Sequence, residues 1–202
     1  MEKKFAGMIS VLLHPMLIPT YALILFLNLN YFISFQYAPD IKFYLVLFVF
    51  IMTFIIPASL MLMLKKLKVI ESFQMNRQQE RMLPLALMAV IYYITYYSLK
   101  STGILMVYNL FLLGITVITL FTLVINFYTK ISLHMIAMGG LAGAILGLLL
   151  LYPFDLRWVF YLIILLTGIT GYARLTVSNH TLRQVYNGFM LGFVTMLALF
   201  IL

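Results

Sequence analysis

The chain has 202 residues, 65% of them hydrophobic and 9% charged, with 13 Lys and Arg against five Asp and Glu. Soluble domains carry about 25% charged residues, so a water-soluble globular protein is excluded and a multi-pass integral membrane protein is expected. The absence of cysteine excludes disulfides, thiolate chemistry and cysteine metal sites, and the net charge of +8 falls at the ends of apolar runs, where it meets lipid head groups or an anionic substrate rather than nucleic acid.

After the basic tail of Lys3 and Lys4, an apolar run covers residues 5–35 and contains His14, Pro15 and Pro19. Proline starts or kinks helices, so a short interfacial segment and then a first span over residues 19–35 are expected. No small-residue cleavage site marks this run as a removable signal. His14 is most simply an interfacial residue, with a substrate role as the alternative. A second span is expected over residues 43–64. The polar stretch 65–81 reads as an amphipathic or irregular linker, with Arg77 and Arg81 four apart, on one face of any helix, and Glu80 able to pair with either. A third span follows over residues 82–99, whose tyrosines 92, 93, 96 and 97 suggest an aromatic belt. A tight turn at residues 100–103 leads to a fourth span over 104–128.

Residues 129–134 open the fifth span, which Ser132 or Thr129 can cap. Its Gly139, Gly143 and Gly147 are small-xxx-small pairs that let helices approach closely. A turn at residues 152–158 precedes a sixth span over 159–172, and a seventh runs over 184–202, where Gly188 and Gly192 repeat the spacing. The reading is therefore all-α, a single integral membrane domain over residues 1–202, a transmembrane bundle of six or seven spans in the bacterial inner (cytoplasmic) membrane.

Between the last two spans lies the stretch 173–188, with Arg174, His180, Arg183 and Gln184. Arg offers a fork of donors suited to phosphate, and His180 can act as nucleophile, acid or base. Gln184, at i+4 from His180, shares its face if a helix begins here, and that helix would aim N–H groups at an anion. A basic snorkelling loop is the plainer alternative. The segments 77–81, 130–134 and 174–184 are separated by two spans each, so an even number of crossings returns them to one face. An arginine pair and two histidines suit phosphoryl chemistry: cations for the non-bridging oxygens, one imidazole to attack and one to protonate the leaving oxygen. With no carboxylate cluster in the sequence to hold Mg²⁺, that chemistry is expected to need neither metal nor cofactor.

The three segments resemble the type 2 phosphatidic acid phosphatase (PAP2) superfamily, whose signature is K-x6-R-P, P-S-G-H and S-R-x5-H-x3-D. Arg174, His180 and Gln184 stand at the spacing of the third block, Ser132-Leu133-His134 at the second, and Arg77, Arg81 and Pro84 loosely at the first. The resemblance covers about residues 74–192. It implies a PAP2-like helical core, His180 as a phosphohistidine, and His134 as general acid. Arg77, Arg81, Ser132 and Arg174 would hold the phosphate. The implied substrates are phospholipid or lipid-linked phosphates, such as phosphatidic acid, phosphatidylglycerol phosphate, a polyprenyl pyrophosphate or phosphorylated lipid A. Gln184 replaces the aspartate behind the nucleophile, Ala173 a serine and Leu133 a glycine. An amide accepts a hydrogen bond but supplies no charge to an imidazolium, so the alternative is a non-catalytic PAP2-like protein that binds or transports such a lipid. The two arguments for sidedness oppose each other: lysine and arginine distribution makes the site's side cytoplasmic, whereas the resemblance implies an extracytoplasmic one.

Overall fold

Within lipid, backbone amides of a chain this poor in charge are satisfied locally by helices, and among the described residues the structure contains helices and no strand. This computed structural model describes residues 2–29, 37–73, 75, 77–100, 106–152, 156–177 and 180–202. The helices are α1 (Glu2–Leu12), α2 (Ile18–Asn28), α3 (Pro39–Phe50), α4 (Ile56–Lys66), α5 (Gln78–Lys100), α6 (Met106–Asn126), α7 (Leu133–Leu151), α8 (Arg157–Val177) and α9 (Leu182–Ile201). A π-helical turn, Ile51–Ile55, joins α3 to α4. Two compact units result, one of Met1–Ile18 with Lys130–Leu202 and one of Pro19–Thr129.

Among the described residues, six helices are long and apolar enough to cross a membrane: Pro39–Lys66 (the α3–α4 rod), α5, α6, α7, α8 and α9. The protein is an integral membrane protein of helical construction. The expected first span is met only in part. Helix α2 has 11 residues, about 16 Å against a hydrocarbon core of about 30 Å, and residues 30–36 lie outside the described set. So do residues 101–105 and 153–155, which take in most of the expected turn at 100–103 and part of the one at 152–158.

In the second unit the π turn has a local cause. Pro57 has no N–H for the carbonyl of Thr53, four residues back, so the ladder widens and the Ile56 N–H bonds to the Ile51 carbonyl. Thr53 is fully buried, with its hydroxyl 3.5 Å from that of Thr20. Tyr108 donates to the Pro19 carbonyl at 3.0 Å, and its ring packs with Phe26 and Phe111. The tyrosine-rich end of α5 is not a uniform belt: Tyr93 and Tyr97 are exposed, whereas Tyr92 belongs to the core.

In the first unit, α7 and α9 pack backbone to backbone. A Cβ on Gly139 would collide with the Phe189 carbonyl, and one on Gly192 with the Ile136 carbonyl. On Gly143 it would stand 2.5 Å from the Phe193 carbonyl oxygen. The glycine spacings on the two helices are therefore the two halves of one contact. Helix α1 packs on the C-terminal part of α8, with Ala6 and Ile9 against Ala173, flanked by Leu13 and Ile169.

Candidate functional site

The site grows from the close approach of α7 and α9 at their N-terminal ends. Gly188 brings α9 against the start of α7, where a Cβ would stand 2.8 Å from the Ser132 carbonyl oxygen. There the Ser132 N–H donates to the Gln184 carbonyl at 3.2 Å. That bond joins two segments the sequence reading grouped, around Ser132 and His134 and around His180 and Gln184.

Helix α9 begins with a capping box. Thr181 accepts from the Gln184 N–H at 3.4 Å, and the Gln184 side-chain oxygen accepts from the Thr181 N–H at 3.3 Å. The same Gln184 Oε1 lies 3.0 Å from His180 Nδ1. A backbone N–H can only donate, so Thr181 identifies this atom as the amide oxygen and His180 Nδ1 as a donor. The neutral imidazole then carries its lone pair on Nε2. The expected His180–Gln184 contact is thus made. The expected supply of N–H groups at the start of α9 is reduced, because the box engages the Gln184 amide. Ser178 and Asn179 lie outside the described residues.

Ser132 occupies the N-cap position of α7, as expected, but its hydroxyl makes no capping bond. Its Oγ is fully buried and has no hydrogen-bond partner among the described residues. Two residues on, His134 Nε2 lies 2.9 Å from the Ser10 carbonyl oxygen, so Nε2 carries the proton and donates. Arg174 is on the last turn of α8, beyond the expected end of that span, and its Nη1 donates to Ser10 Oγ at 3.4 Å. Ala173, where the motif has serine, is fully buried against α1.

His14, in the turn after α1, meets the His134 ring edge to face at a centroid distance of 5.4 Å. Burial, and then the Arg174 guanidinium, lower its pKa from the ordinary 6.5. His180 lies close enough to His134 for the two to interact electrostatically. The first unit thus gathers every histidine of the chain, His14, His134 and His180, with Arg174. Ser10 is the residue that sequence reasoning missed as a site component, whereas His14, read as interfacial with a substrate role as the alternative, stands against His134.

Arg77 and Arg81 belong to the second unit and do not form the expected pair on one helical face. Arg77 precedes α5 and makes an exposed ion pair with Glu71 at 3.2 Å. Arg81 is buried in the first turn of α5 and donates from Nε to the Met75 carbonyl at 3.0 Å. Glu80 does not take Arg77, and its Oε2 is buried with no hydrogen bond among the described residues. No family model matches the chain, and no curated protein or solved structure is similar to it.

Proposed function

We propose that this protein is a PAP2-like, metal-independent phosphatase of lipid phosphates or pyrophosphates that works through a phosphohistidine. The observation that carries the reading is the orientation of His180: with Nδ1–H held by Gln184 Oε1, the nucleophilic lone pair is on Nε2. Nε2 attacks phosphorus, the P–O bond to the lipid breaks, and the leaving oxygen takes a proton. Water then cleaves the N–P bond and releases phosphate. Arg174 balances charge on the non-bridging oxygens. His134 donates through Nε2 to Ser10, so a proton for the leaving oxygen would come from its Nδ1 after protonation. Arg77 and Arg81 enter this reading on the motif resemblance alone.

A second reading has its own support. Gln184 puts no negative charge behind His180, and in the serine-protease triad a carboxylate-to-amide change costs about 10⁴ in rate. A non-catalytic protein that binds or transports a phospholipid would tolerate the amide. The purified protein, assayed without metal on several lipid phosphates, is expected to release phosphate and to form an acid-labile, base-stable phosphoprotein. His180→Ala is expected to abolish both while leaving the fold intact. Absent release, combined with head-group binding that Arg174→Ala abolishes, establishes the second reading instead.

A further inference from the structure

Of the three imidazoles in the first unit, His14 alone lies outside the motif resemblance. The Met16 N–H approaches His14 Nδ1 at 3.4 Å, which makes Nδ1 an acceptor and puts the proton of the neutral ring on Nε2. No other hydrogen bond to the His14 ring occurs among the described residues. Its neighbour His134 has the opposite allocation, because the Nε2 donor is spent on the Ser10 carbonyl and Nδ1 is left as an acceptor. Of the two rings beside Arg174, His14 is therefore the one with a donor left for an anion, while neutral His134 keeps only a lone pair.

We propose that His14 is a phosphate-binding residue of this site, donating from Nε2–H to the phosphate monoester that Arg174 attracts, with α1 as the element that delivers it. The inference rests on the reading of the site as one for phosphate. Ser10, on the last turn of α1, accepts from Arg174 through its hydroxyl and from His134 through its carbonyl, so α1 is registered to both neighbours. His14 is only part-buried. The electrostatics favour an anion. The first unit contains Lys3, Lys4, Lys130, Arg157, Arg174 and Arg183 against Glu2 and Asp155, six cations to two anions.

The test uses the full chain in detergent micelles with ¹⁵N-labelled histidine side chains, each signal assigned by a single substitution. Titration with inorganic phosphate is expected to shift the His14 nitrogens. His14→Ala should weaken phosphate binding about tenfold, the worth of one hydrogen bond to a charged group. His14→Gln, which keeps a donor at similar reach, should recover most of it. A parallel titration with a short-chain phosphatidic acid separates the sources. A response at lower concentration assigns the lipid head group and an equal response assigns free phosphate, and either supports the proposal. Absence of phosphate binding, or binding that leaves the His14 signals unmoved, overturns it, and the wild-type titration decides this even if His14→Ala fails to fold. Phosphate bound at His14 without lipid hydrolysis keeps this inference and removes the catalytic one. Hydrolysis with His14 unresponsive does the reverse.

Discussion

Gln184 performs two tasks with one atom, closing the capping box of α9 and orienting His180. That fixes which substitution should improve it. Gln184→Glu keeps the reach of Oε1 and adds a charge that suits both a helix N-terminus and an imidazolium. Turnover on a lipid phosphate is expected to rise about tenfold, short of the full ~10⁴ of the protease case, and the melting temperature should not fall. Gln184→Asp, one methylene shorter, cannot serve both partners and should gain less. An unchanged rate in a folded Gln184→Glu protein removes the charge argument. His14 makes a separate prediction about pH. Its folded pKa lies below the ordinary 6.5, so between the two values the unfolded chain binds more protons than the folded one. This contribution to stability is complete above pH 6.5 and is lost as the pH falls towards the folded value. Thermal unfolding across that range should show the loss, and His14→Gln should reduce it. The His180–Gln184 contact was legible because i, i+4 spacing is local. The His14–His134 contact was not, because 120 residues of chain separate partners whose meeting depends on how α1 packs on α8.

At the scale of elements, the α7–α9 contact predicts contrasting outcomes for one chemical change. Gly192→Ala drives a methyl group into the Ile136 carbonyl, with the Gly140 amide also at 2.8 Å. Neither backbone can yield without separating the helices, so a cost on the order of 3 kcal/mol is expected. Gly168→Ala on α8 meets nothing within 4 Å and should stabilise by up to about 1 kcal/mol through helix propensity. Melting temperatures of the two variants in one detergent check this, and an equal effect would contradict the packing. Because Ser132 and Gln184 are joined at the end of this contact, Gly192→Ala should also weaken phosphate binding. The glycine spacing on each helix was readable, but a spacing does not name its partner. Arg77 went the other way. Four residues from Arg81, it was assigned a shared face, but α5 begins one residue after it and Glu71 holds it in solvent.

At the scale of the molecule, burial sharpens the charge argument for which side of the membrane carries the site. If each of the six apolar helices crosses once, the sequence expectation is that residues 65–81, 130–134 and 174–184 face the same side of the membrane. The positive-inside rule concerns cations that face the aqueous boundary, so those that are not exposed, Lys42, Arg81, Lys130 and Arg174, are set aside, as is Arg77, which is exposed but paired with Glu71. Exposed cations remaining on the site's side are Lys3, Lys4, Lys65, Lys66, Lys68 and Arg183, against Lys100 and Arg157 on the other, six to two. Lys3 and Lys4 belong to this count because His14 meets His134 at the start of α7. Helix α1 is only about 16 Å long, so its charged end reaches water most cheaply at the same surface. The expected outcome is a cytoplasmic site, against the extracytoplasmic one that the family resemblance implies. A cysteine introduced at Lys66, in a chain that otherwise has none, reports the answer through an impermeant thiol reagent on intact cells. Labelling is expected only after permeabilisation. Labelling of intact cells would place the site outside, and the six-to-two excess would then reflect recruitment of anionic lipid head groups.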